Sequence, residues 1–74
     1  MIKVKSEKIK VDSSAIITVS YSYGKNELTV EFVNGRKYKF EKVEHDTFVG
    51  LKYSESIGKY FNRHIKNQHN YEII

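Results

Sequence analysis

Polar and apolar residues alternate from Ala15 to Tyr23, with Ala15, Ile17, Val19, Tyr21 and Tyr23 at one parity and Thr18, Ser20 and Ser22 at the other. A period of two is that of a strand with one face buried, so the apolar set is expected to face a core. Gly24-Lys25-Asn26 then turns the chain. Glu27 to Val33 reads as a second strand with Leu28, Val30 and Phe32 on one face, and Arg36 to Val43 as a third, after the hairpin signal Asn34-Gly35.

The register of this hairpin follows from parity. A two-residue Asn-Gly loop would pair Val30 with Lys39 and send Tyr38 and Phe40 to the face opposite Leu28, Val30 and Phe32. A three-residue loop, Val33-Asn34-Gly35, pairs Val30 with Tyr38 and Leu28 with Phe40, so every apolar group shares one face. The pattern therefore predicts a type I turn with a glycine bulge, Gly35 taking the positive φ that glycine adopts at low cost. In the same register Lys37 lies across from Glu31, a cross-strand pair that gives this lysine a structural reason to be there.

Beyond Val43 the period changes. Asp46 is placed to N-cap a short helix carrying Phe48, Val49 and Leu51, weakened internally by Gly50. Ser54 or Ser56 caps a second helix over residues 57–67. On it Ile57, Tyr60, Phe61, His64 and Ile65 form an apolar stripe about 140° wide, with Lys59, Arg63 and Lys66 within about 60° of one another on the far side. Residues 1–10 form an N-terminal arm or lysine-bearing edge strand, Lys3, Lys5, Lys8 and Lys10 discouraging edge-to-edge pairing. Residues 70–74 could add a last extended segment. The expected fold is α+β: a small antiparallel meander sheet of three to four strands followed by two short helices packed on one face, with residues 11–74 as the domain.

Composition narrows the function classes. In 74 residues there is room for one core. The absence of cysteine excludes a disulfide scaffold and a cysteine-based zinc site. No apolar run reaches the roughly 20 residues that span a bilayer, and the lysine-studded start lacks the apolar block of a signal peptide, so a cytoplasmic protein without membrane contact is expected. The formal charge of +4 favours an anionic partner, although solubility alone can account for a charge of this size.

Catalytic templates are missing: there is no Gly-x-Ser-x-Gly, no P-loop and no dinucleotide fingerprint. Glu41, Glu44 and Asp46 near the strand-to-helix junction suit helix capping better than paired acid–base work. His64 and His69 point about 140° apart on a continuous helix and cannot share a metal there, so no metal, cofactor or catalytic residue is assigned. His64 reads instead as a hydrogen-bonded residue at the edge of the core. Phe32, Tyr38, Phe40, Phe48 and Phe61 fall on faces expected to be buried. Tyr21, Tyr23, Tyr53 and Tyr71 lie near element ends and are freer to be displayed. The Lys59/Arg63/Lys66 ridge is the candidate phosphate-facing surface, joined by Arg36, Lys37 and Lys39 from the hairpin; its alternative is a merely solvated helix face.

Ser13-Ser14-Ala15-Ile16 leading into the first strand, Asn34-Gly35, Tyr38-Lys39-Phe40 and Ser56-Ile57-Gly58-Lys59-Tyr60-Phe61-Asn62-Arg63-His64-Ile65 together resemble the KTSC domain, in the same order and over residues 11–73. That family takes its name from the C-terminus of some lysyl-tRNA synthetases and also occurs as stand-alone bacterial or phage proteins. Its central Tyr-x-Tyr stands here as Tyr38-Lys39-Phe40, and the proline frequent after its third strand is replaced by Val43-Glu44. The resemblance implies no catalytic residue. Through the synthetase context it implies RNA binding, with Lys59 and Arg63 as phosphate contacts and Asn62 as a polar contact or local cap. The expected function is thus a non-enzymatic module for RNA or another nucleic acid; the alternative is an interaction module that docks on a host or bacterial protein through exposed tyrosines or an open strand edge.

Overall fold

A computed structural model describes residues 6–11 and 13–74; Lys3, Lys5 and the rest of residues 1–5 lie outside the described part. Five strands, β1 (Ser6–Lys10), β2 (Ile16–Ser22), β3 (Glu27–Phe32), β4 (Lys37–Phe40) and β5 (Tyr71–Ile73), form one antiparallel sheet in the order β1-β2-β3-β4-β5. The helices α1 (His45–Lys52) and α2 (Ile57–His64) fall between β4 and β5. The architecture is α+β as expected, with five strands rather than three or four: β1 and β5 both pair.

The hairpin register is the one parity demanded. Leu28 faces Phe40 and Val30 faces Tyr38. The Gly35 N–H donates to the Phe32 carbonyl at 2.9 Å, the Phe32 N–H donates to the Arg36 carbonyl at 2.9 Å, and Gly35 has φ 88°. This register carries across the sheet. Ile9, Val19, Val30, Tyr38 and Ile73 form one inward-facing row, and Glu7, Tyr21, Leu28, Phe40 and Tyr71 form the next. The opposite parity, Lys8, Ser20, Thr29, Lys39 and Glu72, makes the outer face.

One part of the expected alternation is out of phase. Ile16 pairs with Phe32 while Thr18 pairs with Glu31, so Ile17 is the extra residue of a bulge. Ile16 is consequently 1% exposed and Ile17 41% exposed, and Ala15 is exposed, where the simple alternation had Ala15 and Ile17 inward. Beyond the bulge Val19 and Tyr21 return to the expected face.

Both helices lie on the inner face. Phe48 of α1 stacks on Tyr21 with ring centroids 4.6 Å apart, and Phe61 of α2 meets Phe40 edge-on at 5.3 Å. Tyr21, on the core-facing parity but near enough to a strand end to be freer for display, is fully buried. Its hydroxyl donates to the Val43 carbonyl at 2.7 Å and accepts from Asn26 Nδ2 at 3.1 Å, which is how a buried phenol avoids an unsatisfied polar group. Asn26 holds that position from a left-handed backbone, φ 55°, a conformation asparagine tolerates better than most residues.

The cap of α1 is Glu44, whose side chain makes no capping bond, rather than Asp46; Asp46 sits in the first turn, where its charge still complements the helix dipole. On α2 the cap is Ser56, whose Oγ accepts from the Lys59 N–H at 3.3 Å. This helix stops at His64, short of the expected residue 67, because the N–H groups of Ile65 and Lys66 both turn back to the Phe61 carbonyl, at 3.0 and 2.9 Å. Among the described residues no helix is long and apolar enough to cross a membrane.

Two contacts fix the helices in place. At Gly50 of α1 an added Cβ would overlap the Tyr60 hydroxyl of α2 and come 2.8 Å from Tyr60 Cζ. On the other side, Glu7 Oε2 meets Lys52 Nζ at 2.5 Å and Glu7 Oε1 accepts from the Tyr23 hydroxyl at 2.5 Å, tying β1 to α1. These hydrogen bonds, from Lys52 first and then from Tyr23, hold the Glu7 carboxyl below its usual range, and the same carboxylate raises Lys52.

Gly50→Ala is therefore expected to lower the urea midpoint. Displacing the Tyr60 ring costs about 1–3 kcal/mol, which outweighs the roughly 1 kcal/mol of helix propensity that alanine adds. A stabilised variant would contradict the close approach of the two helices. The depressed Glu7 contributes stability above its unfolded value of about 4.3, and this is lost as pH falls through the lower folded value. Denaturation curves collected between about pH 2.5 and 6 should show a shallower acid decline for Glu7→Gln than for the parent protein, an equal decline being the contrary result.

Candidate nucleic-acid interface

β5 is added at the edge of the sheet, past the part that α2 covers. Its inward-facing side chains, Tyr71 and Ile73, are therefore 53% and 60% exposed. Between this uncovered corner, the β3–β4 hairpin and the exit of α2 lies an open groove of about 490 Å³. Its deepest lining is the pair of buried rings Phe40 and Phe61. Phe32 and Tyr38, half-buried, and Tyr71, exposed, complete an aromatic wall. Tyr38 and Tyr71 stand 5.3 Å apart with planes tilted by 53°, and Phe32 meets Tyr38 edge-on at 5.4 Å.

The polar lining comprises Asn34 from the hairpin loop, Asn62 from α2, and Lys66 and Asn67 from the turn after it. All four are exposed. Among the described residues Lys66 is the one charged residue lining the groove, and no carboxylate does. The sequence gives the reason these residues share an edge. At about 100° per residue, Asn62 follows the buried Phe61 around α2, and Lys59 and Arg63 come next in that order, while Lys66 lies in the turn after the helix. Of the three ridge cations Lys66 alone lines the groove, and Lys59 and Arg63 follow its rim residue Asn62 around α2.

The cations named from sequence divide into two sets. Lys59, Arg63 and Lys66 are exposed on or just beyond α2, and Arg36 is exposed at the end of the hairpin loop, its N–H donating to Asn34 Oδ1 at 3.0 Å. Lys37 and Lys39 lie on the outer face of the sheet, because their β4 neighbours Tyr38 and Phe40 point inward to the helices. They do not join the α2 ridge on a single surface. Lys39 is also neutralised locally: its Nζ is 2.8 Å from Glu72 Oε1, and that contact raises its pKa. The two ion pairs found among the described residues are Lys39–Glu72 and Lys52–Glu7, so there the cations of the ridge have no carboxylate partner. Lys37 is paired with Glu31 in register but not in an ion pair; Glu31 Oε1 instead accepts from the Thr18 hydroxyl at 3.3 Å.

His64 is exposed, not a hydrogen-bonded core-edge residue, and its ring lies 4.4 Å from that of Tyr60. The His69 ring nitrogen Nδ1 approaches the Glu41 carbonyl at 3.1 Å, which places it on the β4 side of the molecule.

The groove is not apparent from the sequence, because Phe32 and Tyr38 share the core pattern of Phe40, Phe48 and Phe61. Phe40, Phe48 and Phe61 are buried as expected. Phe32 and Tyr38 have the parity of core residues but lie where cover runs out. The available signal was positional: the loop residues Asn34 and Gly35 and the short last strand flank these two rings.

Comparison with known proteins gives a consistent picture. The family model described as the KTSC domain matches residues 12–71. An uncharacterised protein from Stutzerimonas stutzeri (strain A1501) is 30% identical over 63 residues, which span 85% of this chain and 89% of the relative. The crystal structure of a KTSC domain protein from Yersinia pestis superposes with a TM-score of 0.86 over 93% of this chain and 97% of that one. At 23% identity this likeness speaks to the fold.

Proposed function

The chain belongs to the KTSC domain family, and from that premise and the chemistry of its surface we propose that it is a non-enzymatic module that binds single-stranded nucleic acid, RNA in the first instance. The observation that carries this reading is the exposed series Lys59, Arg63 and Lys66, without carboxylate partners among the described residues and reaching an aromatic groove at Lys66. Cations beside displayed rings are the usual means of holding an unpaired strand, the cations tracking phosphates and the rings meeting bases. Double-stranded nucleic acid has its bases stacked away and would leave the rings unused. Lys37 and Lys39, on the other face, are left out of the proposed interface; Arg36, at the loop end beside Asn34, is kept in it.

A competing reading has the exposed edge strand β5, with Ile73 and the following Ile74 each 60% exposed, adding to a strand of a partner protein. The two readings differ in their response to salt. Displacement of counterions from a single strand makes log K fall with log salt at about −0.7 per phosphate contact. Strand addition shows no such slope.

The double variant Lys59→Glu/Arg63→Glu, checked for folding by circular dichroism, should bind a single-stranded RNA oligomer more weakly at every salt concentration. Its salt slope should be shallower by about 1.4, two contacts' worth. Unchanged affinity and slope in the folded variant would remove the ridge from the interface.

A further inference from the structure

The groove itself has a chemistry more specific than general stickiness toward a strand. We infer that it is a receptor for one unpaired nucleobase, stacked on Tyr71 and Tyr38, with the adjoining phosphate on Lys66; this rests on the nucleic-acid reading above and says where on the molecule a base is taken.

Three features point to that occupant. The first is shape. Tyr38 and Tyr71, with ring centroids 5.3 Å apart and planes tilted by 53°, line the groove together with the buried rings of Phe40 and Phe61, so a flat ring system can lie against this aromatic wall. The space of about 490 Å³ falls within the roughly 300–1,000 Å³ range of small-molecule sites and admits a base with its sugar. The second is the rim. Asn34, Asn62 and Asn67 each carry a carboxamide, which offers a donor and an acceptor together, as the edges of nucleobases do. Lipid chains would have no use for three amides. The third is charge. Among the described residues Lys66 is the one charged lining residue, and the exposed Lys59 and Arg63 follow the rim residue Asn62 around α2. A base held by the rings thus leaves its backbone beside Lys66.

The burial pattern adds to this. Tyr71 lies in a three-residue terminal strand, paired to Phe40 across the sheet, and its ring is left 53% exposed although it sits on the inward-facing parity. A ring in such a position contributes less to the core than its size allows and remains available to a ligand.

The test compares two ligands of equal phosphate count. Fluorescence anisotropy would measure binding of a labelled ten-nucleotide RNA and of the same backbone made abasic throughout, at fixed low salt, to the full chain and to Tyr71→Ala. The intact oligomer is expected to bind about 5- to 150-fold more tightly than the abasic one, the range that one stacked base supplies. Tyr71→Ala should lose most of that difference while binding the abasic strand as the parent does, and Asn62→Ala, on an exposed helix position, should lose part of it. Equal binding of the two ligands, or an advantage of the intact one that Tyr71→Ala does not reduce, would overturn the base receptor while leaving a phosphate-binding module. If neither ligand binds at low salt, the nucleic-acid reading falls and the receptor with it.

Discussion

Pairing of β3 with β4 through the loop Val33-Asn34-Gly35 decides which side of this small sheet does what. With Leu28 across from Phe40 and Val30 across from Tyr38, the rings of β4 face the helices and its lysines face away. The loop achieves this with one extra residue relative to the shortest hairpin, and the positive φ of Gly35 is what lets that residue fit. A slip by one position would exchange every side chain of β4 between the faces, exposing Phe40 and placing Lys39 against Phe61. The buried Tyr21, the stack on Phe48 and the docking of α2 on Phe40 all presuppose the same register.

The groove is a consequence of how the two layers fit. Five strands make a sheet wider than two eight-residue helices can cover. On the β1 side the shortfall is met by polar contacts, Glu7 reaching Lys52 and Tyr23. On the β5 side the inward-facing positions are filled by Tyr38, Tyr71 and Ile73 and stay partly open. The early end of α2 matters here as well, since the turn after His64 brings Lys66 and Asn67 to the rim instead of continuing them along a helix. The proposed interface is thus built where the core stops being closed.

Much of this was legible from the residues. The parity of Leu28, Val30, Tyr38 and Phe40 settled the hairpin, and the pair Ser54 and Ser56 ahead of the Ile57–Ile65 stripe marked the start of α2, where Ser56 is the cap. The same parity already excluded Lys37 and Lys39 from the helix-side surface: a register that turns Tyr38 and Phe40 inward turns the intervening lysines outward. Grouping them with Lys59 and Arg63 was inconsistent with it. What the sequence could not supply were features that depend on a neighbour. Ile17 is a bulge only because Phe32 and Glu31 pair on either side of it, and nothing in the run Ala15–Val19 marks the phase change. Asp46 is the better cap by residue type, and only the path of the chain puts Glu44 at that position. The half-open state of Phe32 and Tyr38 reflects the reach of α2 over the sheet, a property of packing that no local pattern records.

On the proposed function, ligand engages one side of the molecule, the side where α2 and the β5 corner meet. Amide chemical shifts followed by NMR during titration with a single-stranded RNA oligomer test this directly, since each face is reported separately. The account predicts a response concentrated at Asn34, Asn62, Lys66, Asn67 and Tyr71 and extending to Lys59 and Arg63. A response centred on Ser20, Thr29, Lys37 and Lys39, the outer face of the sheet, would contradict it.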